Sequence, residues 1–326
     1  MTMMTLFARA RVLAAALALL AGAAQAQDPY PSRPITLVVP FSAGGGADIG
    51  ARLLAKDLTE SLGTTVVIDN KPGANGAIGA QAVARAKPDG YTLLMGSATT
   101  NAANHAFFAG KLGYEPGSFD AVGGIGSSPL SLYVAAGAPW RSVADLVADA
   151  KRRPGQLNCG SGNAVTQVAC EVFRKTAGIQ TVNVPYKSNP QSLTDVVGGQ
   201  LSFAFADGAV AQVYLEGKRL RAIGVAAAQR NPATPDVATF REQGFADFEI
   251  TAWTAVFVPA GTPLPIIDKL NAVIRKSADS PESVQTRART GSTALNLGVA
   301  EIRRFVDGEQ QRWARYVKDS GVKPEQ

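Results

Sequence analysis

The chain has 326 residues, with 32 Lys and Arg against 26 Asp and Glu, one His, two Cys and a net charge of +6. These charges are scattered, with no basic stripe interleaved with aromatics, so nucleic acid is not expected as a partner. A single histidine beside two cysteines makes no zinc-type cluster, so no metal site is expected.

The first 26 residues read as a secretory signal. Arg9 and Arg11 form a short positive region, residues 12–21 are Ala, Leu and Val, and Ala24-Gln25-Ala26 is a small-x-small cleavage site. Cleavage is expected after Ala26, releasing a periplasmic protein. The apolar run is short for a bilayer span, and no later segment is longer. What remains, about 300 residues, is enough for one large or two medium domains with ample core.

From residue 35 onward, short apolar runs alternate with helical patterns. Residues 35–39 read as a strand, and Ile49, Leu53, Leu54, Leu58 and Leu62 then recur at helical spacing up to a stop at Gly63. Residues 64–68 form a β-branched strand, followed by a turn-rich stretch from Asn70 to Gly76, an alanine-rich helix to about Ala86 and a strand at 91–95. That order argues for a parallel sheet covered on both faces.

A similar unit starts near Leu130, with a strand at 130–135 and a capping box at Ser142-Val143-Ala144-Asp145. Strands follow at 156–159, 181–184, 201–206 and 220–226, with helices at 164–175 and about 191–197. A strand at 253–258, a helix at about 263–277 and a charged amphipathic helix at 300–317 complete the chain. The fold class is α/β in two lobes. The first comprises residues 27–128 with 225–326, the second residues 129–224, and the chain crosses near Pro129 and returns near Gly224. Two crossing strands make a natural hinge. Cys159 ends a strand and Cys170 lies two turns into the next helix; that helix, running back along the strand, is expected to keep the sulfurs apart as two buried thiols.

No catalytic constellation emerges. His105 lies in an alanine- and aromatic-rich helical stretch and reads as a packed side chain. Neither a nucleophile elbow nor a phosphate-binding loop with its lysine is present. Gly44-x-Gly46-x-x-x-Gly50, with Asp69 at the end of the next strand, approaches a dinucleotide fingerprint and leaves an NAD(P)-binding oxidoreductase as an alternative, although the glycine spacing is off.

Anion capture by backbone is the other physical option. The first N–H groups of a helix lack intrahelical partners and carry partial positive charge, and glycines let a ligand oxygen approach them. Starts of this kind recur after strands: Phe41-Ser42-Ala43-Gly44-Gly45-Gly46-Ala47-Asp48, then Ser97-Ala98-Thr99-Thr100-Asn101, then Gly160-Ser161-Gly162-Asn163, then Asp207-Gly208-Ala209. Each lies at the carboxyl end of a strand, where open α/β sheets bind ligands. Taken singly, each also reads as an ordinary capped turn.

The stretches VPFSAGGGADIGARLLAKDL, VVIDNKPGANGAIGAQAVARAKPDGYTLLMGS and VNVPYKSNPQSLTDVVGGQLSFAFAD, with YVAAGAPWRSVADLVADAKRRPGQLNCGSGN and WTAVFVPAGTP, resemble the Bug-type solute-binding receptors of tripartite tricarboxylate transport systems. The resemblance implies a type II periplasmic-binding-protein fold, a Venus flytrap that closes on a small organic carboxylate. It implies no cofactor and no catalysis, a monomer, and a membrane permease of the tripartite tricarboxylate type as partner, with a signalling sensor as the alternative. Carried over by position, Phe41, Ser42, Ala43, Gly44 and Gly45 form the first-lobe clamp, with Asp48 capping the helix or holding water. Ser97, Thr99 and Asn101 add contacts, Ser161, Gly162 and Asn163 form the second-lobe loop, Tyr186 lines the cleft, and Asp207 acts through water or capping. The chain departs from the pattern at SGNAVTQVAC, YKSNPQS and FADGA, which bear on the distal pocket. Lys187 is read as a solvated surface residue, Trp253 as core.

Overall fold

The computed structural model describes residues 30–108, 111–245 and 248–322. The expected signal segment lies outside them. The chain divides after Ser32 into two compact units. Of the first only Tyr30–Ser32 are described, and every described helix and strand belongs to the second.

In chain order, the first lobe runs β1 (Ile35–Val39), α1 (Gly46–Leu62), β2 (Val66–Asn70), α2 (Ala77–Ala84), β3 (Thr92–Ser97), α3 (Asn104–Phe107) and β4 (Phe119–Pro129). The second runs β5 (Ser131–Ala135), α4 (Val143–Arg152), β6 (Leu157–Ser161), α5 (Ala164–Thr176), β7 (Thr181–Pro185), α6 (Asn189–Val197), β8 (Phe203–Ala206), α7 (Gly208–Glu216) and β9 (Leu220–Val225). The chain then continues as β10 (Thr251–Pro259), α8 (Leu264–Ala278), α9 (Pro281–Thr290), β11 (Thr293–Ala294) and α10 (Val299–Ser320).

Two sheets result, ordered β11-β4-β10-β3-β1-β2 and β7-β6-β8-β5-β9. The expected parallel pairing holds for β2-β1-β3 and for β7-β6-β8. β10 runs antiparallel to β3 and β4, and β5 antiparallel to β8 and β9, so both sheets are mixed. The reason is the crossings: a strand that comes back from the other lobe enters its sheet from the opposite end. Ile35, Leu37 and Val39 are fully buried in β1, and the β-branched and leucine-rich run suits a strand covered on both faces.

The crossings are tied to one another. Pro129 pairs with Thr251 in one sheet and Ser131 with Val225 in the other. Between them Leu130 N donates to Ile250 O at 3.0 Å and its carbonyl accepts from Ala226 N at 2.8 Å, while Ile250 N donates to Ala226 O at 3.0 Å. The stretch between β9 and β10 packs on the second sheet. Phe240 and Phe248 stand 5.6 and 5.9 Å from Phe173 of α5, and 6.0 and 5.5 Å from Phe205 of β8. The sequence pattern has the chain leaving that lobe near Gly224; its backbone crosses at Ile250 and Thr251. The C-terminal helix α10 serves both sides: Glu309 accepts from Trp253 Nε1 at 2.8 Å, and Asp319 O accepts from Lys175 Nζ of α5 at 2.8 Å.

Cys159 and Cys170 form a disulfide, correcting the expectation of two separate thiols. Cys159 lies inside β6, and four residues follow it before α5 begins at Ala164. The helix then retraces that advance at about 1.5 Å per residue. Cys170 thus returns level with Cys159, with Cα atoms 6.1 Å apart, inside the bridging range. The two cysteines, 0 and 2% exposed, sit in the core.

Candidate ligand-binding site

Strands β1, β3, β6, β7 and β8 each end at the gap between the sheets, and a helical segment starts after each. A narrow central cavity of about 80 Å³ lies among these starts. Its walls are Phe41, Ser42, Gly45, Gly46 and Ala47, then Ser97 and Thr99, then Gly162, Asn163, Thr166, Ser188, Asn189 and Asp207. A chamber of about 610 Å³ shares Phe41, Ser42, Gly162 and Asn163 with it and reaches Ser161, Asn75, Gln167, Tyr186 and Lys187.

The first-lobe loop is braced from within. Gly44 takes φ +82°, a conformation that favours glycine, and its N–H donates to Asp48 Oδ2 at 3.0 Å. Asp48, 2% exposed, also accepts from Arg52 at 2.9 and 3.1 Å and from Asn70 at 3.0 Å. Asn70 in turn holds the Phe41 carbonyl at 3.1 Å. Burial alone would raise the Asp48 pKa, but the bonds from Arg52, Gly44 and Asn70 outweigh it and hold the carboxyl below its ordinary 3.8. Ile49 N donates to Gly45 O at the start of α1, so the N–H groups of Gly46 and Ala47 precede the intrahelical bonds, and both residues line the central cavity.

In the second lobe, Gly162 N donates to Thr166 Oγ1 at 3.0 Å and to Asn189 Oδ1 at 3.1 Å. Asn163 N donates to Thr166 Oγ1 at 3.2 Å, while Asn163 Oδ1 accepts from Thr166 N at 3.0 Å and caps α5. Asp207 Oδ1 caps α7, accepting from Ala209 N at 3.1 Å and Val210 N at 3.3 Å. Burial pushes the Asp207 pKa up against those bonds. Across the gap, a Cβ on Gly46 would lie 3.0 Å from Asp207 Oδ1, so the lobes meet here.

Comparison with known proteins gives this arrangement its family. Residues 50–322 match the model of the tripartite tricarboxylate transporter family receptor. The chain belongs to this family. BugT of Bordetella pertussis is 32% identical over 299 residues, 91% of this chain and 92% of its own. Among solved structures, the R. palustris protein Rpa4515, determined with adipate, aligns with a TM-score of 0.87 at 32% identity, over 91% of this chain and all of that one. MatC from Rhodopseudomonas palustris, with bound malate, aligns at 0.83 and 30% identity, over 88% of this chain and all of its own. The fold of the receptor is thus two-lobed and α/β.

Several residues singled out in the receptor sequence meet at the cavities: Phe41, Ser42, Gly45, Ser97, Thr99, Gly162, Asn163 and Asp207 around the centre, Ser161 and Tyr186 around the outer chamber. Ala43 and Gly44 line neither, and Gly44 spends its N–H on Asp48. Asn101 is turned away: its Oδ1 accepts from Thr100 Oγ1 at 2.7 Å and lies where a Cβ on Gly96 would come within 2.3 Å. Tyr186 donates to Asp195 at 2.6 Å; that bond, with burial behind it, pushes its pKa up to about 12.

Sequence reasoning placed Gly46 and Ala47 in the first helix start without carrying them into the clamp, and it missed Thr166, Ser188 and Asn189. The last two open α6 with a proline at its second position, which is a helix-start signal in its own right. Thr254 was missed because β10 arrives antiparallel, bringing its beginning beside Ser97 at the end of β3. His105 is packed 5.4 Å from the Tyr114 ring, and burial lowers its pKa to about 4, leaving it neutral at pH 7. Trp253 is core, 2% exposed, with Phe305 5.5 Å from its ring. The dinucleotide alternative meets two obstacles. The Asp207 carboxylate stands at the tip of α1, where a pyrophosphate would need room, and Asp69 is paired with Lys71 at 2.9 Å. Among the described residues there is no group of His, Cys, Asp and Glu suited to a metal, and no helix is long and apolar enough to cross a membrane.

Proposed function

We propose that this receptor captures a small organic carboxylate between its lobes in the periplasm and presents the closed form to a membrane permease of the tripartite tricarboxylate type. The observation that carries the reading is the convergence of helix starts from both lobes on one cavity. One carboxylate group is held there by the amides of Gly46 and Ala47 and the hydroxyls of Ser42, Ser97 and Thr99, and is met from the other side by Ser188 and Asn189. Phe41, Ser161, Gly162, Asn163 and Tyr186 shape the space beyond. The rest of the acid extends into the outer chamber, where Lys187 and Gln167 suit a second polar group. Adipate with Rpa4515 and malate with MatC supply the ligand class by similarity. The buried disulfide supports export through an N-terminal signal, because such bonds persist in oxidising compartments.

Capture needs no chemistry: the ligand is bound and released unchanged. It stabilises the closed form because only there do both lobes donate to it. A thermal-shift screen over mono- and dicarboxylates, with adipate, malate and NAD included, tests this. At about a hundredfold excess over Kd, binding adds about 2.7 kcal/mol, a rise of roughly 4 °C for a chain of this size. A screen in which every carboxylate leaves the melting temperature unmoved, or in which NAD alone raises it, would overturn the reading.

A further inference from the structure

Helix α7 begins with Gly208, and nothing in its backbone calls for glycine. Its φ lies outside the left-handed range, and at a helical position alanine is the more favourable residue. What Gly208 lacks is room. A Cβ there would come within 2.1 Å of the Thr290 carbonyl oxygen, 3.1 Å of its carbonyl carbon and 3.5 Å of its Cα. Those are backbone atoms of α9, in the other lobe, and a backbone atom cannot rotate away as a side-chain tip can. One residue earlier, the Asp207 carboxylate lies against Gly46 at the tip of α1. The end of α9 is held in place by its own link, since β11, two residues beyond Gly291, pairs with β4.

We propose that Gly208 is a closure residue: the missing side chain lets α7 seat against Thr290, and any larger residue at 208 props the lobes apart and weakens ligand capture. This rests on the two-jaw reading of capture, but the contact itself is testable without a ligand. A Cβ on Gly46 would lie 3.4 Å from Asp207 Cγ, close to the spacing of a cysteine Cβ from its partner's sulfur in a disulfide. A Gly46→Cys, Asp207→Cys pair is therefore placed to cross-link across the gap whenever the lobes meet. The native Cys159–Cys170 bond is buried away from the reaction.

Under mild oxidant the engineered pair is expected to cross-link. Adding Gly208→Val should slow the reaction by about tenfold or more, and Gly208→Ala, which helix propensity favours and which guards against misfolding, by a smaller factor. Equal rates in the Gly208 variants, with their folds intact by circular dichroism, would overturn the proposal, and so would a parent pair that never cross-links. In the receptor without added cysteines, Gly208→Val should also lose affinity for whichever carboxylate shifts the wild-type melting temperature most. Absence of any shift in the wild type would count against carboxylate capture and leave the cross-linking result standing.

Discussion

The two sides of the cleft are stiffened by different means. On the first lobe, the loop from Pro40 to Gly45 is tied by one buried carboxylate, Asp48, which gathers Gly44, Arg52 and Asn70. On the second, helix α5 is bolted to β6 by the Cys159–Cys170 bond, and its first turn is closed by Thr166 with Gly162 and Asn163. One brace is electrostatic, the other covalent and neutral. Acid should therefore loosen the first side before the second, and reductant the second alone.

The comparison can be broken at its strongest point by replacing both cysteines with alanine. A loop of this size closed by a disulfide contributes about 3 kcal/mol, so urea denaturation should show a loss of that order, with the Asp48 network intact. Asp48→Ala comes next. It leaves the Gly44 N–H without its acceptor and the Asn70 amide with the Phe41 carbonyl alone, at a cost of about 2–3 kcal/mol, and ligand affinity should fall with the loop's order. Thr166→Val removes the side-chain acceptor of the Asn163 amide and one of the two that serve the Gly162 amide, the other being Asn189 Oδ1, and should cost about 1–2 kcal/mol, with affinity reduced less than in Asp48→Ala.

The smallest expected effect sharpens the contrast between two acids at helix starts. Asp48 has a depressed pKa, so its contribution is full above the unfolded carboxylate value and is lost as pH falls through its lower folded value. Asp207 is raised, so the folded state binds a proton that the unfolded state has released. Stability therefore declines as pH rises from the unfolded value near 3.8 to the folded one, and the penalty persists above it. Asp207→Asn keeps an oxygen to cap α7 and removes that decline. Stability curves of wild type and Asp207→Asn should converge in acid and separate above it, with the variant higher; parallel curves would refute the assignment.

Much of this was legible in the sequence. The β-branched run of β1 and the Ser142–Asp145 capping box of α4 fall where periodicity and capping chemistry put them. β4 was not legible because Gly123, Gly124 and Gly126 dilute its strand character. Those glycines admit neighbours: a Cβ at Gly124 would meet Leu295 at 2.5 Å and one at Gly123 would meet Ile274 at 3.0 Å. α9 carries no apolar stripe and buries only Ser283 and Thr290, so no helical period announces it. At the site, the glycine-rich loops were visible, yet which amides stay open was not. Whether Gly44 or Gly46 faces the cavity depends on where the Asp48 side chain folds back, and that is a tertiary fact.

The central claim is that helix starts on both lobes grip one carboxylate. The most direct measurement is a crystal structure with the acid that gives the largest thermal shift. The account predicts carboxylate oxygens in the central cavity, within hydrogen-bonding distance of Gly46 or Ala47 N–H on one side and Ser188 or Asn189 on the other. An acid seated elsewhere, or held by one lobe alone, would contradict it.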